Sequence, residues 1–133
     1  MSGIDDAGPL FLPSSIIHRL HARSLAEHGG LEGIGDPSGL ESAITAPQNV
    51  HFYEGGDLFE IAAAYAFHIA ESQAFLDGNK RAAASAALTF LEINGVDTEA
   101  SEPMALHEHM IAIAKSSLNR SGLAEKLRKM LES

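Results

Sequence analysis

The chain predicts an all-α fold, and three observations carry that prediction. Apolar residues recur at helical spacing along nearly the whole length, strand-like alternation is almost absent, and Gly or Pro stands at several breaks between periodic stretches. Ser14, after Pro13, is placed to cap a first helix carrying Ile16, Ile17 and Leu20, which Gly29-Gly30 ends. Asp36, with Pro37 at the next position, opens a short helix through Leu40 and Ile44 that Pro47 is expected to stop. Residues 47–56 mix Pro, Asn, Gly and aromatics and read as a loop or small β-hairpin. Asp57 caps a helix that is apolar almost all round (Leu58, Phe59, Ile61, Tyr65, Ile69), a pattern that belongs in a core.

Residues 71–78 form a break, and a helix follows from Asn79 to about Asn94, with Gly95 suited to the position after its cap. Alanines at 82, 83, 84, 86 and 87 let other helices approach it closely, so it is expected to be the central element. Ser101 is expected to cap a helix with Leu106, Met110 and Ile113 inward. Ser121 is expected to cap the last, with Leu123, Leu127, Met130 and Leu131. The whole of 1–133 reads as one all-α domain, long enough to bury a real core.

Composition narrows the function. Hydrophobic residues make up 45% and charged residues 20%, ordinary values for a globular protein. Without Cys there is no disulfide and no thiolate metal site. No apolar run approaches the roughly 20 residues of a membrane span, and the acidic N-terminus lacks a signal peptide's basic start, so the cytoplasm is the expected compartment and no membrane partner is expected. A net charge of −9 argues against non-specific binding to DNA or RNA. Five of the nine cations lie in the last nineteen residues, where they suit the C-terminal dipole of a final helix or a small docking patch.

Against that acidic background one place stands out. From Ser24 to Ala114 there are fourteen acidic residues, and the only cations are the adjacent Lys80 and Arg81. They follow Gly78-Asn79 at the start of the Ala-rich helix, so backbone N–H groups and two cations converge at a helix N-terminus. That is a seat for phosphate. Asp77, one step upstream, can hold the Mg²⁺ that accompanies nucleotide phosphates.

The run Phe75-Leu76-Asp77-Gly78-Asn79-Lys80-Arg81 resembles the Fic/Doc signature, His-Pro-Phe-x-Asp-Gly-Asn-(Gly or Lys)-Arg, at six positions. Flanking segments at 59–69 and 90–96, and the upstream Gly33-Ile34-Gly35-Asp36 with Leu40-Glu41-Ser42, are also similar to the family, so the resemblance covers roughly residues 8–131. The family's fold is an all-α bundle with a flap before the motif, here expected at about 44–56, that holds a target's backbone by strand addition. The resemblance implies Mg²⁺ on Asp77 and a nucleotide such as ATP held through Phe75, Gly78, Asn79, Lys80 and Arg81. It also implies charge compensation by Lys80 and Arg81 during transfer.

Two departures matter. The signature's opening His, the family's general base, is Gln73 here, and the following Pro is Ala74. A Gln amide orients a hydroxyl but does not take its proton, and a positioned base is typically worth about 10²–10⁴ in rate. Lys80 stands where adenylylating members have Gly, and Ala84 stands where they have a second arginine. Both point to the Doc branch. That branch implies a toxin neutralised by an antitoxin with a short helical segment, and a kinase acting on a translation factor such as elongation factor Tu.

The remaining candidates are weaker. His107 and His109, two apart, point in different directions on a helix, and no second ligand pair completes a zinc site. His68 reads as a packed core histidine, with replacement of the missing base as the alternative. Ser121-x-x-x-Glu125 carries half of the family's inhibitory pattern, but Lys126 breaks its end. Three readings stay open: a Doc-like kinase toxin with impaired or altered catalysis, an inactive nucleotide- or partner-binding homologue, and AMP transfer or phosphate-directed chemistry on another substrate.

Overall fold

The computed structural model describes residues 8–71, 74–99, Leu106, Glu108, His109, Ala112 and 118–131. Among these, five helices follow one another: α1 (Ser14–His28), α2 (Pro37–Glu54), α3 (Leu58–Glu71), α4 (Asn79–Ile93) and α5 (Arg120–Leu131). The fold is all-α, with one isolated antiparallel bridge between Ile34 and Phe75 among the described residues.

The centre lies one helix earlier than expected. Among the described helices, α3 packs against α2, α4 and α5, whereas α4 packs against α3 and α1. Composition explains the difference. Ile61, Ala62, Ala63, Ala64, Tyr65, Ala66, Ile69 and Ala70 are all buried, so α3 has almost no face left for water. α4 buries Ala82, Ala83, Ala86, Ala87, Phe90 and Leu91 but keeps Lys80, Arg81, Glu92 and Ile93 exposed. The facing alanines let α3 and α4 approach closely, and Tyr65 and Phe90 fill one end with rings 5.4 Å apart.

Pro47 does not stop the second helix. α2 runs through it to Glu54, so the loop or hairpin expected at 47–56, and the flap expected at 44–56, are helical up to Glu54. An interior proline costs about 3 kcal/mol through a lost hydrogen bond and a clash. Burial offsets it here. Leu40, Ala43, Pro47 and Val50 form one buried stripe at helical spacing, and Pro47 is part of it. The helix ends instead at Gly55-Gly56, where both backbone N–H groups donate to the Val50 carbonyl.

Two other expected caps move by a residue or two. The first helix starts after Pro13 with no side-chain cap, and Ser14 is its first residue. In α5 the cap is Asn119, whose Oδ1 accepts the Gly122 N–H at 2.7 Å, and Ser121 lies inside the helix. Asp36 and Asp57 cap α2 and α3 as expected. The end of α4 is closed by paired bonds from Gly95 N–H to Glu92 O (3.1 Å) and Val96 N–H to Leu91 O (2.9 Å). Leu106 is buried, as expected, while Ser101, Met110, Ile113 and His107 lie outside the described residues.

The basic tail is partly consumed inside the protein. Arg120 pairs with Glu54 at 2.8 Å, and Arg128 pairs with Asp57 at 2.7 Å and lies over the Phe59 ring. These contacts tie α5 to the α2–α3 junction. The N-terminal segment is tied down as well: Leu12 N–H donates to the buried Tyr65 hydroxyl, and the Asn94 amide bonds both N–H and C=O of Leu10. Burial pushes the Tyr65 phenol up to about 12.

Candidate functional site

The motif lies on the turn that leads into α4. Ala74 and Phe75 are buried, Leu76 and Asp77 are exposed, and the chain then turns at Gly78, whose φ is +76°. Only glycine adopts that backbone without strain, and a Cβ there would lie in ordinary contact with Leu25 and His21 of α1. Gly78 is therefore both the turn and the point where α1 crosses close over the start of α4.

Three contacts hold the turn. Asn79 reaches back, its Oδ1 accepting the Phe75 N–H (2.9 Å) and its Nδ2 donating to the Phe75 carbonyl (2.8 Å). The extended 33–35 segment pairs alongside, with Gly35 N–H donating to Ala74 O and Leu76 N–H donating to Gly33 O, each at 3.0 Å. From α1, the His21 ring stacks on Phe75 with centroids 3.7 Å apart and nearly parallel planes, and its Nε2 lies 2.7 Å from the Asp77 carbonyl.

Two expected nucleotide contacts change on this geometry. Phe75 is buried between His18 and His21, so its ring supports the turn from beneath and does not line the cavity. Both ends of the Asn79 amide are engaged by Phe75, so what Asn79 chiefly leaves for a phosphate is its backbone N–H. Gln73, at the general-base position, lies outside the described residues.

The remaining expected residues come together. Asp77, Gly78, Asn79, Lys80 and Arg81 line one cavity of about 220 Å³, with Ala70 and Leu76. No side chain caps the N-terminus of α4. Among the described residues, neither Lys80 nor Arg81 forms an ion pair, and both are exposed. A larger cavity of about 660 Å³ adjoins between α1 and α4, lined by Ser24, Glu27, Ala84 and Leu88 among others, and Lys80 and Arg81 border both. The small cavity has room for phosphate groups, while ligand sites for whole small molecules run to about 300–1,000 Å³.

Asp77 fits a magnesium ligand of the kind nucleotide sites use. Its Oδ1 accepts the Gly78 N–H (3.0 Å) and its Oδ2 the Leu31 N–H (3.3 Å), which fixes the carboxylate and leaves lone pairs toward solvent. Among the described residues, no cluster of three or more His, Cys, Asp or Glu side chains comes together. Such a single carboxylate suits Mg²⁺, which takes its remaining ligands from phosphates and water.

His68 does not line the 77–81 cavity. It is half-buried, packed edge-on against Phe67, and burial, reinforced by Arg120, holds it below the usual histidine value despite Glu71. His109 is lowered by the same causes, with Lys126 as its cation.

Sequence reasoning missed two parts of the site. The extended segment at 33–35 makes one isolated bridge, too short to leave a period-2 signature. His21 left a trace: Ile17, His21 and Ser24 form the buried face of α1, and a histidine in that stripe asks for a partner.

Comparison with known proteins agrees with this geometry. A sequence model of the Fic/DOC family matches residues 11–91. The chain is 36% identical over 112 residues to the protein kinase Doc of Escherichia phage P1, covering 84% of this chain and 87% of that protein. It is 41% identical over 85 residues to the toxin Doc of Mycolicibacterium smegmatis, covering 61% of this chain and 63% of that toxin. With its motif set at the start of α4 and these relatives along most of its length, the chain belongs to the Fic/Doc family, on its Doc side.

Proposed function

We propose that this protein is a Doc-like toxin, a single 1–133 cytoplasmic domain that binds ATP with Mg²⁺ and transfers a phosphoryl group to a protein hydroxyl. Gln73 leaves the transfer slow or altered. The observation that carries the proposal is the open N-terminus of α4: uncapped, flanked by Asp77, and bordered by two cations without an ion-pair partner among the described residues. The names of the two relatives, a protein kinase and a toxin, support the same reading.

In this reading the backbone N–H groups of residues 79–81 receive phosphate oxygens, and Lys80 and Arg81 offset the charge that develops during transfer. Asp77 would hold magnesium, which would supply charge neutralisation at the phosphates. The rest of the nucleotide extends past the small cavity, toward the α1–α4 space that Lys80 and Arg81 also border. Gln73 orients the acceptor hydroxyl without deprotonating it. The edge at 31–35, beside the motif and carrying the exposed Leu31 and Ile34, takes over the flap role of holding a target segment by strand addition. A translation factor such as elongation factor Tu is the proposed target, and a helical antitoxin segment the proposed partner.

Gln73 also favours a second reading, a nucleotide- or partner-binding homologue that has lost catalysis. AMP transfer has less support, because Lys80 and Ala84 replace the residues that chemistry uses. Incubation with γ-labelled and α-labelled ATP and cell lysate, beside Gln73→His, separates the three. Label from the γ position on a protein supports the kinase, label from the α position supports AMP transfer, and nucleotide binding without label supports the inactive module.

A further inference from the structure

We infer that His21 is a positioning residue for Asp77, acting through the Asp77 carbonyl, and that it tunes how strongly the site uses magnesium. The inference rests on the nucleotide–magnesium reading above and adds a residue that the Fic/Doc signature does not contain. His21 is 5% exposed and sits on α1, 56 residues before Asp77 in sequence. A carbonyl oxygen only accepts, so the Nε2 facing Asp77 O at 2.7 Å carries the hydrogen. The ring's flat contact with Phe75 fixes where that hydrogen points.

The position of this bond matters more than its strength. The Asp77 carbonyl belongs to the peptide that joins Asp77 to Gly78. Rotating that peptide would turn both the carboxylate and the first N–H groups of α4. On the other side, Gly30 lets the backbone approach the carboxylate: at φ +126°, an added Cβ would lie 3.0 Å from Asp77 Oδ2. The carboxylate therefore has backbone donors at Leu31 and Gly78, and the carbonyl has a side-chain donor at His21. An apolar residue would pack on Phe75 equally well. The N–H donor is what histidine adds.

Losing a partner that orients a metal ligand typically costs about 10–100-fold in metal affinity. The test measures ATP affinity by calorimetry with magnesium and with EDTA, in wild type, His21→Phe, His21→Leu, His21→Gln and Asp77→Asn, each checked by thermal melt. Phe and Leu fill the space without a donor, while Gln places an N–H near the original Nε2. The expected result is that the magnesium-dependent gain falls about tenfold or more in the Phe and Leu variants, while affinity in EDTA is kept. Gln restores most of the gain, and His21→Phe adds nothing in the Asp77→Asn background. A full magnesium gain in a folded donorless variant overturns the inference, as does equal loss in both conditions, failure of Gln to restore, or failure of both donorless variants to fold. A wild type that binds ATP with no magnesium gain overturns this inference and the role of Asp77 together. A wild type that binds no ATP overturns the nucleotide reading itself.

Discussion

α3 begins with backbone N–H groups met by its own side chains, whereas α4, packed directly against it, begins with no side-chain cap at all. At the start of α3, Asp57 Oδ1 accepts the Glu60 N–H (2.9 Å) and Glu60 Oε1 accepts the Asp57 N–H (3.0 Å), a reciprocal capping box. Arg128 then neutralises Asp57 from α5. At the start of α4 the N-cap is Gly78, whose own N–H is accepted by Asp77 Oδ1, while Asn79 turns back to Phe75 and no side chain meets the N–H groups of the first turn. Lys80 and Arg81 make no ion pair among the described residues. α1 also starts uncapped, but its first turn carries no cation. One N-terminus is closed by its own side chains; the other is left positive, and in the proposed function an anion completes it.

The largest expected effect lies just before α4. If Gln73 stands at the base position, Gln73→His should raise transfer to a protein hydroxyl by about 10²-fold, a modest share of what a general base supplies. The Ala74 backbone limits recovery, since proline would have fixed the chain after the base. The labelled-ATP assay reads the gain, with calorimetry showing nucleotide binding intact. A wild-type rate that the His variant does not exceed removes Gln73 from the base position.

Next in size, the Lys80→Ala/Arg81→Ala double variant should lose about 10²-fold in ATP affinity, since hydrogen bonds to charged groups are worth roughly 1.5–3 kcal/mol each. Its stability should change by no more than about 0.5 kcal/mol, as expected for exposed residues without partners. Asp57→Ala should do the opposite. Loss of the cap costs about 1 kcal/mol, seen as a lower Tm, and ATP affinity should not move. If both variants shift both readouts, the contrast between the two helix starts fails.

How much of this was legible in the sequence depends on the range of each contact. Residues 77–81 and the Asp57 cap are local patterns, and both were readable. The central position of α3 was half-readable: its apolar circumference showed burial, but the alanines of α4 drew the centre to the wrong helix. Pro47 misled because local propensity was read without the 40, 43, 47, 50 stripe that overrides it. The Ile34–Phe75 bridge and the His21–Asp77 bond join distant parts of the chain, and no local period encodes them.

The smallest effect concerns pH and stays away from the site. Burial favours neutral His68, so its folded-state value lies below the ordinary 6.5. Its contribution to stability is then present above about pH 6.5 and is lost as pH falls through the lower folded-state value. Asp57 follows the same sign at lower pH. Burial raises its carboxyl, but the Glu60 N–H and Arg128 outweigh this, so its contribution is lost as pH falls below the ordinary carboxyl value of 3.8. Thermal melts from pH 7 to 5 should show a slight fall in Tm, weaker in a folded His68→Gln variant.

The measurement that tests the central claim most directly is a nitrogen-15 NMR titration of the full chain with ATP and magnesium. The predicted result is that the largest amide shifts fall on Gly78, Asn79, Lys80 and Arg81, with the amides of Leu58, Phe59 and Glu60 at the capped start of α3 unmoved. Shifts concentrated at α3, or no shifts at 78–81 while ATP binds, would contradict the assignment of the open α4 N-terminus as the phosphate seat.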